Sequence, residues 1–445
     1  MFLPRQAKYC MDTLTAAGYQ AYAVGGCVRD ALLGLTPHDY DICTDAAPEE
    51  TAHLFAAHTL VRSGEKHGTI GVVVDGEVYE ITTFRTEGGY RDSRHPDWVK
   101  FVSDVAEDLS RRDFTVNAMA YSPETGYVDP FGGQTDLQKG ILRAVGDPQT
   151  RFTEDALRIL RGVRFAVRFG LTPEEKTMDA MMRLAPRLES LARERVFEEL
   201  CKLLPLVRAE DLLRYAPILS AAIPQIAPMV GFLQHSPHHA WDVFTHTAHV
   251  VENVPRDLTL RWAALLHDAG KPACFTRDEN GRGHFKGHAA VSESIASQVL
   301  LGLKAPTKLR EDVCQLIGLH MTPLEADKRL LRRRLGKLGQ EALQRLLLLQ
   351  EADMGSKGTG IPDEMEQFPR IRAVLAEVLA EDACFKISDL AVCGSDLLHL
   401  GFAPDPNLGK CLQWLLEQVQ DERVPNDKEA LLHAAKGFLE REETV

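Results

Sequence analysis

The hydrophobic pattern of this 445-residue chain changes period once, and that change limits the fold more than any single motif. Up to about Val145, short β-rich runs alternate with helical ones. They are AYAVGG (21–26), DYDICT (39–44), IGVVVDG (70–76) and VYEITTFR (78–85), with turn residues between them. From Thr153 onward the spacing is helical, as in EDALRILRGVRFAVRFG and MDAMMRLAPRLESLARERVFEELCKLL. The expectation is a mixed α/β head followed by an all-helical remainder. Polar breaks at LQHSPHHAWD (233–242) and GSKGTGIPDE (355–364) divide that remainder. The predicted parts are a head (1–145), a neck (146–232), a body (233–356) and a tail (357–445). No run approaches the ~18 uncharged apolar residues of a membrane helix. The start, MFLPRQAKYCMDTL, has no apolar core of a secretory signal. Nine cysteines stand singly with no CxxC pair, which fits reduced thiols and a cytoplasmic chain.

The head carries the pattern of phosphoryl-transfer chemistry. Gly25-Gly26 end a strand, and the residues from Cys27 to Leu33 read as a short helix stopped by Gly34. Paired glycines allow close backbone approach, and a helix start offers unpaired N–H groups, a combination that suits a phosphate. Arg29, in the first turn, adds a fork for the same anion. A tight turn is the other reason for two glycines. Asp39-Tyr40-Asp41 follow. On a strand, residues i and i+2 share a face, so both carboxylates converge. A divalent cation removes their repulsion, and oxygen ligands favour magnesium shared with substrate phosphates. A lone DxD reads as a solvated strand face; GG-x-x-R just upstream favours the metal. Glu80, in VYEITTFR, is a candidate third carboxylate or an exposed strand residue.

The run GGCVRDALLGLTPHDYDI resembles the signature of the nucleotidyltransferases that build or repair the 3′ CCA end of tRNA, in their bacterial class. Bacterial poly(A) polymerases are their relatives. Four further segments match in order. GGYRDSRHPDWVKFVSDVAEDLSRRDFTVNAMA (88–120) is similar to the family's flexible loop and its RRDFT-x-NA motif. Asp129-Pro130-Phe131-Gly132-Gly133 resembles a hinge-like motif, and EDALRILRGVRFA (154–166) its nucleobase-reading helix. DLAVCGSDLLHLGFAPDPNLGKCLQWLLEQV (389–419) is similar to the C-terminal segment.

The resemblance implies a polymerase-β-like nucleotidyltransferase head with a mixed sheet, then an all-α neck, body and tail. It implies attack by an RNA 3′-hydroxyl on the α-phosphate of CTP or ATP, with tRNA as the acceptor and pyrophosphate released. Two magnesium ions suit that reaction, bridged by Asp39 and Asp41. Gly26 and Arg29 fall at triphosphate-binding positions and Arg112 at a nucleotide-binding one. Asp113 matches an acceptor for the ribose 2′-hydroxyl; the plainer reading is an ion pair between Arg112 and Asp113. The loop over 84–102, with Gly88, Gly89, Arg91, Asp92, Arg94 and His95, favours an enzyme able to add the terminal A. An A-adding enzyme or a poly(A) polymerase is the alternative, since the phosphate and metal motifs are shared.

On a helix from Glu154, Asp155 and Arg158 are surface neighbours at i, i+3. A carboxylate accepts from the amino group of cytosine or adenine, and a guanidinium donates to the ring nitrogen beside it. Uracil and guanine invert that pattern and leave buried groups unpaired, at ~1–3 kcal/mol each. One Asp–Arg pair thus selects C and A together; the plain alternative is an exposed ion pair. Arg161, Arg164 and Arg168 continue the row, as an anion track or a solvated basic stripe.

The body holds His246, then LLHDAGK with His267-Asp268, then His288, His320 and Asp353. This resembles the HD superfamily of metal-dependent phosphohydrolases. His246, His267, Asp268 and Asp353 form the expected ligand set for a second divalent metal. A catalytic phosphohydrolase and a helical scaffold gripping tRNA both remain open, as does a phosphohydrolase whose head only binds RNA.

The net charge of −13 argues against nucleic acid only until it is divided. Residues 351–445 hold 9 basic and 19 acidic residues, leaving 42 against 45 upstream. The stretch KRLLRRRLGK, with Lys328, Arg329, Arg332, Arg333, Arg334 and Lys337, is an expected RNA-backbone track.

Overall fold

The computed structural model describes residues 1–88, 98–237, 239–358, 362–381 and 385–442. Two compact units divide the chain. The first comprises Met1–Val207 with Arg214–Ala227 and Gly302–Lys304; the second comprises Arg208–Leu213, Pro228–Leu301 and Ala305–Val445.

The first unit is built on a seven-stranded sheet. Its strands are β1 (Ala21–Val24), β2 (Ile42–Thr44), β3 (Thr59–Val61), β4 (Thr69–Val74), β5 (Glu77–Thr83), β6 (Ala120–Ser122) and β7 (Gly126–Val128), in the order β3-β4-β5-β2-β1-β6-β7. Only β2 and β5 run parallel, so the sheet is mixed as expected. β1 reads as an unbroken apolar run because both of its faces are covered. Ala21 and Ala23 join the core under Leu14, Val28, Phe55 and Ile70, whereas Tyr22 and Val24 join Phe84, Leu109 and Ala120 on the other face. The hairpin from β4 to β5 turns at Asp75 and Gly76, both at positive φ, as a two-residue turn requires. Strand β3 and the ribbon pairing Arg85–Gly88 with Trp98–Phe101 were not foreseen from the sequence.

Beyond the sheet, that ribbon and a short pair of Ile141–Leu142 with Thr172–Pro173, the described part of the first unit is helical. Asp147 caps Pro148–Glu154 through the Thr150 N–H. Helix Leu157–Phe169 ends at Gly170, in the left-handed region at φ 64°. It buries Ile159, Leu160, Val163 and Ala166, and it packs on helix Arg193–Leu203.

The second unit is centred on helices Val243–Asn253, Leu258–Leu266, Thr307–Leu319 and Gln340–Gly355, which pack on one another around the fully buried Trp262. Asp242 and Asp257 cap the first two. Its C-terminal part closes a smaller core of Leu397, Leu415 and Leu431. Among the described residues, no helix is long and apolar enough to cross a membrane.

Candidate functional site

β1 delivers the chain into Gly25, which has φ 77° and caps helix Gly26–Leu32. That conformation favours glycine. A Cβ on Gly25 would lie 2.5 Å from Arg112 Nη1, so Arg112 occupies the room a side chain would need. Arg112 is half-buried and reaches the buried Asp108 at 3.8 Å. Arg29 is only 5% exposed. Its guanidinium donates to Asp30 and to Asn117, and it lies 4.2 Å from the Phe169 ring centroid. Arg29 is therefore a buried clamp at the root of the glycine turn, not an open fork.

Asp39 and Asp41 were expected on a strand; both instead precede β2, which begins at Ile42. The segment is still tied to the sheet, because the Val24 N–H donates to the Asp41 carbonyl at 3.0 Å. β2 runs parallel to β5 with Ile42 opposite Ile81, so Asp41 and Glu80 sit one residue before paired positions on adjacent strands. Asp41 is exposed as a residue, yet crowding by protein around its carboxyl pushes it up to about 6. Repulsion from Asp39 and Glu80 adds to that shift and Arg112 opposes it. Asp39 and Glu80 thus both act on the Asp41 carboxyl, close to the glycine turn.

The expected helix from Glu154 does not run through. Pro148–Glu154 stops, Asp155 is extended at φ −142° and ψ 102°, and a new helix starts at Leu157. Asp155 and Arg158 are therefore not neighbours on one helical face. The break is held from outside the motif. Arg195 grips both Asp155 oxygens, at 3.3 and 2.8 Å, and Asp155 also accepts the Leu157 N–H. Arg158 instead donates to Glu154 at 2.7 Å and to the carbonyls of Arg151 and Arg111.

The local pair between Arg112 and Asp113 is also replaced. Asp113 accepts from Asn117, from the Phe114 N–H and from Arg161 at 2.8 Å. Burial alone would raise the Asp113 carboxyl; Arg161, helped by Asn117, lowers it to about 2. Arg164 donates to buried Glu199 at 2.7 Å. The row Arg161, Arg164, Arg168 is thus not an open anion track: its first two members are spent on Asp113 and Glu199, and Arg168 is exposed. Sequence reasoning missed Arg195 and Glu199, which carry no local signal because they lie at least 35 residues from their partners. It also passed over Asn117, although that residue stands inside the motif RRDFTVNA.

Comparison with known proteins agrees with this layout. Residues 21–143 match the Poly A polymerase head domain, 170–229 the probable RNA and SrmB-binding site of polymerase A, and 285–435 the putative tRNA nucleotidyltransferase domain 2. The chain is 34% identical over 442 residues to a CCA-adding enzyme of Latilactobacillus sakei, covering 97% of each, and 35% identical over 428 residues to one of Levilactobacillus brevis, covering 96% of each. The chain belongs to the CCA-adding enzyme family. Its fold matches a Bacillus stearothermophilus CCA-adding enzyme crystallised with CTP, with a TM-score of 0.76, 28% identity and complete coverage of both chains. A Thermotoga maritima CCA-adding enzyme complexed with tRNA, at 20% identity and a TM-score of 0.58, shares the fold.

In this member of the CCA-adding enzyme family, the second unit gathers the expected HD residues. His246 Nε2 lies 2.9 Å from Asp353 and 3.5 Å from Asp268, and His267 Nε2 lies 3.2 Å from Asp268. All are buried or nearly so. Burial pushes His320 down to about 4 and His239 to about 3, so both rings are neutral at pH 7.

The basic helix Lys328–Leu338 departs from its expected role. Arg332, 6% exposed, meets Glu381 and Glu422, Arg333 meets Asp421, and Lys328 meets Glu377 and Glu381. Half of the six charges are thus neutralised by the acidic C-terminal residues. In the 84–102 loop, Gly89, Arg91, Asp92, Arg94 and His95 lie outside the described residues, and Gly88 ends one strand of the ribbon.

Proposed function

We propose that this chain adds or repairs the 3′-terminal CCA of tRNA, using CTP and ATP, by attack of the RNA 3′-hydroxyl on the nucleotide α-phosphate with loss of pyrophosphate. The observation that carries this reading is the carboxylate group Asp39, Asp41 and Glu80 beside the Gly25–Gly26 turn, in a chain alike over its whole length to CCA-adding enzymes. The other observations support the reading without deciding it.

Enzymes of this fold use divalent metals, and the residues here fit one: burial first, and then repulsion from Asp39 and Glu80, raise Asp41, and a divalent cation removes that repulsion. Asp39 and Asp41, with Glu80 as a third ligand, would hold magnesium, which when bound supplies charge neutralisation at the triphosphate and activation of the hydroxyl. Gly26 begins the helix whose free N–H groups face the triphosphate, and Arg112, kept against Gly25 by the missing side chain, adds a cation. Arg29 fixes the turn from beneath. Asp113, held ionised by Arg161, is the acceptor for the ribose 2′-hydroxyl. Asp155 and Arg158 read the amino group and ring nitrogen shared by C and A. Their orientation comes from Arg195 and Glu154, with Arg161 and Arg164 acting through Asp113 and Glu199 rather than on the phosphates directly. The division into head, neck, body and tail is part of the same proposal.

The test is nucleotide omission. Purified chain with tRNA lacking CCA should add C's with CTP alone and complete CCA with both nucleotides. Long A tails with ATP alone would establish a poly(A) polymerase, and A added only to tRNA ending in CC an A-adding enzyme.

The body supports a second reading. His246, His267, Asp268 and Asp353 would hold one divalent cation: the donor atoms of His246, His267 and Asp268 lie within 4.8 Å of one another, and His246 Nε2 lies 2.9 Å from Asp353. A phosphohydrolase activity would need that cation. Loss of bound transition metal in His267→Ala tests it, and absence of metal from the parent chain ends it.

A further inference from the structure

Asn117 sits between the group beneath the glycine turn and the group assigned to the ribose. It ends the turn Thr115–Asn117, which packs on helix Gly26–Leu32, and it is 6% exposed. Its Oδ1 accepts from Arg29 Nη1, and its Nδ2 donates to Asp113 Oδ1 at 3.0 Å. The partners fix the direction of both bonds. A guanidinium only donates and a carboxylate only accepts, so the amide has a single orientation. Only an amide of this size serves both ends. A carboxylate in its place would face Asp113 with a second negative charge, and an apolar chain would leave both partners short of a bond.

The Asp113 end is full. Oδ1 accepts from the Phe114 N–H at 2.9 Å as well as from Asn117, and Oδ2 faces Arg161 Nε and Nη2, both at 2.8 Å. An ionised carboxylate offers about four acceptor positions, so a ribose 2′-hydroxyl finds none open until one donor leaves. The Phe114 N–H belongs to the backbone. Arg161 balances the charge of a carboxylate that is 8% exposed, and its withdrawal would leave that charge buried and bare. The neutral Asn117 amide is the least costly of the donors to release.

The Arg29 end supplies the drive. The guanidinium carbon lies 4.2 Å from the Phe169 ring centroid and 5.3 Å from that of Phe165, so the rings hold its face while its edge is shared between Asp30 and Asn117. Arg29 Nη2 is 3.6 Å from the place a Cβ would occupy on Gly26, the first residue of the helix. A triphosphate seated on that helix start would compete with Asn117 for the Arg29 protons.

We propose that Asn117 is a positioning residue that makes recognition of the ribose 2′-hydroxyl conditional on a seated triphosphate. Arg29, turned toward phosphate, releases the amide, and the amide vacates Asp113 Oδ1 for the hydroxyl. This rests on the reading of Asp113 as the 2′-hydroxyl acceptor and adds what opens it. Selectivity for ribose is then expressed toward nucleoside triphosphates and suppressed toward monophosphates.

The experiment measures the affinity of full-length chain, with Mg²⁺, for CTP, dCTP, CMP and dCMP, each in competition with a fluorescent CTP analogue. The parent should prefer CTP over dCTP by at least about tenfold and CMP over dCMP by less than about threefold. Asn117→Leu leaves Asp113 Oδ1 with a standing vacancy, so its CMP-to-dCMP ratio should rise to within about twofold of its CTP-to-dCTP ratio. Asn117→Asp keeps the shape and the Arg29 contact but lacks the donor. It should equalise the ratios in the same way, and it carries the test if the leucine variant does not fold. Equal ratios for the two ligand pairs in the parent would overturn the coupling and leave the Asp113 reading standing. So would a loss of affinity for all four ligands at unchanged ratios in the variants, since that is the mark of a merely structural amide. Asp113→Asn that keeps the CTP-to-dCTP ratio of the parent would overturn the reading of Asp113 itself.

Discussion

The neck of the first unit and the cluster of the second are both dense in charge, and they resolve that charge in opposite ways. Around helix Leu157–Phe169 each buried carboxylate has an opposite fork: Asp113 has Arg161, Asp155 has Arg195 and Glu199 has Arg164. Around Asp268, ring nitrogens of His246, His267 and His288 face one carboxylate at 3.5, 3.2 and 3.3 Å, and the His288 and His320 rings face each other at 3.1 Å. The first arrangement is complete without any added ion, so it rigidifies and orients. The second gathers imidazoles around one carboxylate, and the cation beside that carboxylate is a lysine, with the Lys271 ammonium 2.7 Å from Asp268 Oδ2. Density of titratable residues does not by itself mark a binding centre.

If the neck pairs are structural, breaking the driest of them should cost most. Glu199→Ala leaves Arg164 buried and unpaired, and chemical denaturation should show a loss of about 3–5 kcal/mol. A change under 1 kcal/mol would show that Arg164 finds water or another partner. Next comes the head. Asp41→Asn should lower nucleotide addition by at least about 100-fold, or ~3 kcal/mol, with the fold intact by circular dichroism. Retained activity would remove Asp41 from the metal site.

Asp113 offers a measurement of the neck by pH. Its carboxyl is lowered from 3.8 to about 2, so its pairing contributes fully above the unfolded value and is lost as pH falls toward 2. Comparing the parent with Asp113→Asn by urea denaturation, the difference in stability should shrink by about 2 kcal/mol between about pH 5 and pH 2. A difference independent of pH would mean that the carboxylate charge contributes nothing. Arg195→Ala frees the Asp155 carboxylate, and the preference for CTP and ATP over UTP and GTP should fall about tenfold in single-turnover assays. Unchanged preference would confine Arg195 to packing. The smallest effect is expected on the basic helix. Arg333 is already paired with Asp421, so Arg333→Ala should change tRNA affinity less than about twofold at low and high salt. A marked, salt-dependent loss would restore the helix as an RNA track.

How much of this could be read from the sequence follows the range of the forces involved. β1, β2, β4 and β5 were legible because alternation and turn residues are local signals. So was the glycine turn, although not the reason for Gly25, whose missing side chain makes room for an arginine 87 positions later. The break at Asp155 was invisible because EDALRIL is a good helical sequence; the opposing pull comes from Arg195, 40 residues on. The charges of Lys328–Leu338 were legible, but their partners at Glu381, Asp421 and Glu422 lie 49 to 90 residues away and were counted only as an acidic tail. The His-Asp pair of the body was legible as a motif, whereas the sharing of Asp268 between two sets of imidazoles depends on where helices Val243–Asn253 and His288–Gly302 meet the residues that follow Leu266 and Leu319.

The extended residue between the two neck helices has a mechanical consequence. Because the Asp155 N–H keeps only a long contact to the Arg151 carbonyl, at 3.5 Å, and its carboxylate is held by Arg195, it works as a joint between the two helices. If Asp155 reads the base as proposed, such a joint gives one carboxylate room for a one-ring and a two-ring base, with Arg195 as the restoring contact.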